Sequence, residues 1–379
     1  MTQFKYDLNL DDRGFYKVGN QIFYSKILAI LESTRTHQEL RYVMHDDAYS
    51  KLNWGAEPEE SLDQLYAARA WEIRNQYDYL VLHFSGGSDS TNILETFIKN
   101  KIPLDCIYIR GAYAKTNNNI KDTSDTNILA ETYLNALPIA KEVKERFMPN
   151  LNIVMKETSQ YVVDYFANNP NWYDIEKNQV VSNLNILTFG RSDPDAVHPE
   201  FRKLSESGKR VGHILGLEKP MVYHDGNNYF VKFLDSVYNM HMTTRQTDLD
   251  VPLHTVPFYW APSTGKIIIK QSHTIKNFIK KHNINFTGLF DKGRVSHDFI
   301  ANIIYRRTLP LYFQAEKPAA GLITSCETEF HKDSSEQYVK NWVNGIEEID
   351  KIIPDQWKHN GTIYNGIVGC FTKSYYIGS

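Results

Sequence analysis

Six residues, Ser85, Gly86, Gly87, Ser88, Asp89 and Ser90, join the apolar run YLVLHF to a segment of helical pattern, STNILETFIKN. A strand that ends in a glycine turn and opens a helix gathers backbone N–H groups at one spot, and the helix amino end adds positive dipole. That is a device for anions. Gly86 and Gly87 permit close approach, and Ser85, Ser88 and Ser90 add hydroxyl donors. Asp89 repels phosphate unless a cation such as Mg2+ lies between them, so the ligand that fits is a phosphate carried with its metal. The plain alternative is a serine-glycine turn that only caps a helix. Capping requires one serine or aspartate, not the whole set.

Three familiar loops are excluded by spelling. A Walker A loop ends in Gly-Lys-Ser/Thr, the dinucleotide fingerprint is Gly-x-Gly-x-x-Gly, and a nucleophile elbow is Gly-x-Ser-x-Gly; none is present here. The stretch resembles the PP-loop, Ser-Gly-Gly-x-Asp-Ser, of the N-type ATP pyrophosphatases. That superfamily includes the asparagine, GMP, NAD and argininosuccinate synthetases and tRNA lysidine synthetase, and the chain looks most like the C-terminal domain of asparagine synthetases. The resemblance implies an AMP-forming ligase with ATP and Mg2+ as its ligands. An oxygen of a small-molecule carboxylate or amide attacks the α-phosphate, pyrophosphate leaves into the loop, and an amine or ammonia displaces AMP. Positioning and charge neutralisation suffice for such a step.

The same resemblance assigns roles. Ser85 to Ser90 bind the nucleotide, and Asp89 is both metal ligand and catalytic residue. Ile109 and Gly111, at the end of the following strand, seat adenine through backbone groups; strand core at Ile109 and a simple turn at Gly111 are the alternative. A second echo lies in GHILGLEKPMVY, where Glu218 is a candidate metal or substrate contact and Lys219 a candidate catalytic phosphate contact. A charged hairpin corner would read the same. In KQSHTIKNFIKK, Lys270, His273, Asn277 and Lys280 share a helical face. Such a stripe is either a solvated face or a lid whose Lys270 and His273 close over the nucleotide. Arg306 and Arg307 are placed to complement a helix carboxyl end.

The chain departs from the family in its cysteines. Glutamine-dependent relatives begin with a processed cysteine, and this sequence begins Met1-Thr2, so the amine or ammonia comes from another source. Cys106, Cys326 and Cys370 are scattered, without zinc spacing, and read as buried small hydrophobes, with Cys106 near a strand the one that could act alone. Two other functions remain open: a modifier of tRNA or DNA bases, supported by the basic stripe, and a nucleotide-binding module without catalysis.

Composition bounds these alternatives. The 379 residues carry a formal charge of −3, which gives no whole-protein attraction to nucleic acid or anionic membrane. No apolar run approaches the roughly eighteen residues of a membrane span, and the charged start MTQFKYDLNLDDRG does not read as a signal peptide; the expectation is a cytoplasmic protein.

The elements that must hold the loop follow by periodicity. GFYKVGNQIFYSK predicts a hairpin at Gly19-Asn20, with Ser25 capping the next helix, and EESLDQLYAARAWEIRNQY predicts another helix. From Asp78, short apolar runs (YLVLHF, LDCIYIRGAY, NLNIVMKET) alternate with helical segments, the second carrying Pro138 as a kink. That alternation predicts a parallel sheet covered on both faces, and the PP-loop resemblance implies that it is an α/β sandwich of the adenine-nucleotide alpha-hydrolase type. Helices are expected near 159–168 and 176–189, and the sheet is expected to reach about Tyr223 before a hairpin at Asp225-Gly226. VPFYWAPSTGK reads as a connection whose aromatics wall a substrate pocket, three more helices follow, and the tail reads as two short strands. The division is an α+β unit at 1–76, the PP-loop domain at 77–235 and a mostly helical substrate region at 236–379.

Overall fold

The computed structural model describes residues 14–111, 131–157, 159–174, 199–216, 219–235, 254–284, 295–305, 336–363 and 366–379. The expected helix at 176–189 and residues Glu218, Arg306, Arg307 and Cys326 lie outside them.

Strands β1 (Phe15–Val18) and β2 (Gln21–Phe23) form the expected hairpin, with Gly19 at φ +56° in its turn. Ser25 caps α1 (Lys26–Thr36), its Oγ accepting from Leu28 N at 3.4 Å. Strand β3 (Leu40–Val43) pairs with the other edge of β1, and the short α2 (Asp46–Tyr49) follows. Helix α3 (Leu62–Gln76) starts at a capping box between Ser61 and Gln64 and buries Leu65, Tyr66, Ala70 and Ile73.

The central sheet is parallel throughout. It contains β4 (Tyr79–His83), β5 (Cys106–Gly111), β6 (Asn152–Glu157), β7 (Val211–Leu215) and β10 (His254–Pro257) in the order β10-β7-β4-β5-β6. Strand order therefore turns around at β4, with β5 and β6 on one side and β7 and β10 on the other. Helix α4 (Ser88–Lys99) follows β4 directly. A π-helical turn (Glu131–Ala136) leads into α5 (Leu137–Arg146), which carries Pro138 in its first turn, where no N–H is required. Helix α6 (Ser159–Asn168) stands where expected, and α7 (Pro199–Glu206) packs Phe201 against the sheet beside Tyr108 and His213.

Two expectations are corrected here. The parallel sheet does not reach Tyr223: the chain leaves it at Leu215, Pro220 has no N–H to give a ladder, and β8 (Met221–Asp225) pairs with β9 (Asn228–Lys232) in a separate antiparallel sheet. The hairpin itself turns at Asp225-Gly226 as read. The segment before YWAP is not only a connection, because His254–Pro257 is strand β10. It is an edge strand, where proline is tolerated, and Arg69 Nη2 donates to Pro257 O at 2.8 Å. The central sheet thus draws one strand from the region beyond residue 235.

Helices α8 (Gly265–His282), α9 (Val295–Ile304) and α10 (Gln337–Ile352) agree with the periodicity. Where the sequence predicts two strands, the tail supplies one, β11 (Tyr375–Tyr376), and two isolated bridges, Phe371 to Leu234 and Ile367 to Lys358. One apolar cluster runs from Tyr16 and Tyr42 through Leu80, Ile107 and Ile214 to Ile268 of α8 and Ile377 of the tail. A second joins α6, Trp172 and α10 to Ile27 and Ile30 of α1. No helix among the described residues is long and apolar enough to cross a membrane.

A buried ion pair fastens the first unit to the tail. Lys26 Nζ lies 2.7 Å from Asp235 Oδ2, which also accepts from Tyr16 OH at 2.9 Å, while Asp235 Oδ1 accepts from Cys370 N at 3.1 Å. Removing one member of such a pair leaves an uncompensated charge. Lys26→Met is expected to lower unfolding free energy by about 3–5 kcal/mol in urea titrations, and Lys26→Met combined with Asp235→Asn to recover part of the loss.

His45 adds a pH dependence. Its ring packs against Tyr49 and Trp260, its Nε2 has no hydrogen-bond partner among the described residues, and burial lowers its pKa to about 4. The folded protein holds it neutral, whereas the unfolded chain takes up a proton near 6.5. Stability from this group is therefore present above about pH 6.5 and lost as pH falls toward 4, on the order of 3 kcal/mol in total. His45→Asn, which tolerates the left-handed backbone there, should flatten that slope in unfolding measured between pH 7.5 and 4.5.

Candidate functional site

The loop after β4 is held from several sides. Phe84 N donates to Tyr108 O at 3.0 Å, carrying the ladder to β5 one residue beyond β4. Gly86 then turns at φ +78°, and Asn135 Nδ2 of the π-helical turn donates to Gly86 O at 2.7 Å. A Cβ on Gly86 would lie 2.9 Å from the backbone N of Ala136, so both conformation and packing require glycine there. Ser85 Oγ accepts from Gly87 N at 3.2 Å, and Ser90 Oγ donates to Gly87 O at 3.2 Å.

Gly87 is the N-cap of α4 and has no side chain with which to cap the helix. The N–H groups of Ser88, Asp89 and Ser90 form its first turn, where no intrahelical acceptor exists. With the helix dipole they make this end electropositive, at the carboxyl edge of the sheet beside the strand about which the order reverses. Open α/β sheets place their ligands at that position.

Asp89 is the most constrained residue of the loop. Its Oδ2 lies 2.5 Å from Lys219 Nζ, and its Oδ1 accepts from Tyr305 OH at 2.6 Å. Its main-chain oxygen accepts from Tyr259 OH at 3.0 Å, and Asn92 Nδ2 donates to that same phenol at 2.8 Å. Burial first, then the Asp89 charge, holds the Tyr305 phenol well above the ordinary tyrosine range. Tyr259 is raised well above it too, chiefly by burial. Both phenols therefore stay protonated near neutral pH and act as fixed donors. Lys219 reaches the loop because Gly216 lets the end of β7 pass close to α4: a Cβ there would lie 3.1 Å from Ser90 N.

Of the residues picked out in the sequence, Ser85 to Ser90 and Lys219 come together. Ile109 is buried in the core, and Gly111 ends β5 opposite Glu157 of β6. The end of β5 lies beside β4, as expected, although the Ile109 side chain belongs to the apolar cluster.

Lys270 does not join the site. Its Nζ pairs with Glu57 Oε1 at 2.8 Å and donates to Pro58 O at 2.9 Å. His273 Nε2 lies 2.9 Å from Trp54 O, Lys276 donates to Ile377 O at 2.8 Å, and Lys280 donates to Ser379 O at 3.1 Å. The stripe on α8 is thus no lid: Lys270 and His273 are turned into packing, while Asn277 and Lys280 stay exposed. It fastens the 54–58 turn and the tail. Cys106 and Cys370 are buried, as read; the Cys106 thiol is pushed up to about 12, chiefly by burial, which argues against its acting alone as a nucleophile.

Sequence reasoning missed Tyr305, Asn92, Asn135 and Gly216. Tyr259 was read only as one of the aromatics that wall a pocket, without a partner on the loop. The one local signal for Tyr305 was its place in FIANIIYRR, where the two arginines drew attention instead.

The glycine requirement can be measured. Gly208 has φ +87° with nothing within 4 Å of an added Cβ, so Gly208→Ala isolates backbone strain of about 1 kcal/mol. Gly86→Ala adds the collision with Ala136 and is expected to lose on the order of 2–4 kcal/mol in urea unfolding. Equal losses in the two variants would show that the loop packs less tightly against the π-helical turn.

Comparison with known proteins finds no match: no family model fits the chain, and no curated protein is significantly similar to it.

Proposed function

We propose that this protein is an ATP-dependent, AMP-forming enzyme of the PP-loop type, which adenylates a small-molecule carboxylate or amide and transfers it to an amine or ammonia. The observation that carries this reading is the side-chain-uncapped amino end of α4 with Asp89 fixed beside it by Lys219 and Tyr305. An anion-binding helix end beside a carboxylate and a buried ammonium suits a ligand that is a phosphate chain with its cation.

In this reading the acceptor oxygen attacks the α-phosphorus, and the bond from that phosphorus to the bridging oxygen of pyrophosphate breaks. The charge appearing on the leaving pyrophosphate falls on the N–H groups of Ser88 to Ser90 and on Lys219. These groups are already in place and need no reorganisation. Amine attack on the adenylated carbon then expels AMP. Mg2+, when bound, would be held by Asp89 and would neutralise the phosphate chain. Adenine would lie against the backbone at Ile109 to Gly111. A modifier of tRNA or DNA bases is the less favoured alternative, because Lys270 of the basic stripe is paired with Glu57.

The test is a screen of carboxylates and amides with labelled ATP, with and without ammonia. AMP and pyrophosphate in equal amounts are expected. Alanine at position 89 would leave Lys219 and Tyr305 with neither a counter-charge nor an acceptor, whereas asparagine removes the charge and keeps an amide oxygen beside them, so Asp89→Asn is the informative change. It should keep a cooperative unfolding transition while turnover falls by about a hundredfold or more. ADP as product, or AMP release untouched by Asp89→Asn, would overturn the proposal.

A further inference from the structure

Away from the loop, the outer edge of β3, the end of β9 and the stretches 356–357 and 368–374 enclose a groove of about 670 Å3. That volume falls within the range of small-molecule sites. Its lining carries three cations, Arg41, Lys232 and Lys373, against one carboxylate, Glu39, which is exposed.

The cations are under-compensated. Arg41 and Lys373 share the single carboxylate of Asp46, each at 3.7 Å. Lys232 has no anionic partner and donates to no acceptor among the described residues; its Nζ lies 3.9 Å from the centroid of the Phe371 ring and 5.1 Å from that of Tyr223. Partial burial lowers its pKa. A charged group taken from water without a counter-charge is costly, and aromatic faces return only part of that cost. A structure keeps such a group where an anion can complete it.

We propose that this groove binds a small polyanion, a molecule bearing carboxylate or phosphate groups whose charge is taken up by Lys232, Arg41 and Lys373. The groove shares no lining residue with the loop at 85–90, so the site stands or falls separately from the ATP reading.

The test is calorimetric titration at low ionic strength with citrate and, separately, inorganic phosphate. It is run on the full chain and on Asp89→Asn, which removes a loop carboxylate without touching the groove. One saturable site is expected in both proteins for at least one probe, and the tighter probe identifies the charged group preferred. Lys232→Met keeps the aliphatic stem over Phe371 and should weaken that binding at least tenfold, as should Lys373→Gln, should either variant alone fail to fold. The bound probe should also raise the thermal midpoint of the wild type and not that of Lys232→Met. Absence of saturable binding up to about 10 mM of either probe, or unchanged affinity in the folded variants, would overturn the proposal.

Discussion

An ammonium group that is almost wholly removed from water needs a counter-charge, and Lys219 finds it in Asp89. That contact ties the chain following β7 to the first turn of α4, on the strand about which the sheet order reverses. The surrounding arrangement serves the same end. Gly216 removes a side chain so that the two segments can approach, Tyr305 and Tyr259 hold Asp89 by its carboxylate and its carbonyl, and Asn135 fixes the turn at Gly86. The acid that would repel phosphate is already neutralised by a cation. The N–H groups beside it remain available to an anion.

How much of this was legible depends on the range of the interaction. The strand, loop and α4 are contiguous, and the change from an apolar run to helical spacing at Ser85 to Ser90 reveals them directly. Strand β3 and helix α2 are four residues each, too short for any periodicity to stand out, and β10 becomes a strand only because β7 is beside it. Tyr305 lies 216 residues and Tyr259 170 residues from Asp89. No local pattern encodes such a meeting. Lys219 could be singled out because it follows an apolar strand, at the edge where these sheets carry their sites.

The α8 stripe shows the opposite failure. Lys270, His273, Asn277 and Lys280 fall at helical spacing and look like a polar surface, yet each meets a carbonyl or carboxylate from elsewhere in the chain. Basic residues at regular spacing therefore fasten this fold together. Lys26 does the same at the other end, clamping α1 to Asp235 and, through it, to Cys370 of the tail. The cations without such partners stand out by contrast, and Lys232 is the clearest of them.

In the proposed function the amino end of α4 receives the phosphates of a nucleotide. A crystal structure of the protein grown with pyrophosphate and Mg2+ tests it most directly. Phosphate oxygens on the N–H groups of Ser88 to Ser90, with the cation on Asp89, are the predicted result. Pyrophosphate bound elsewhere, with the loop and the Asp89 to Lys219 contact unchanged, would contradict it.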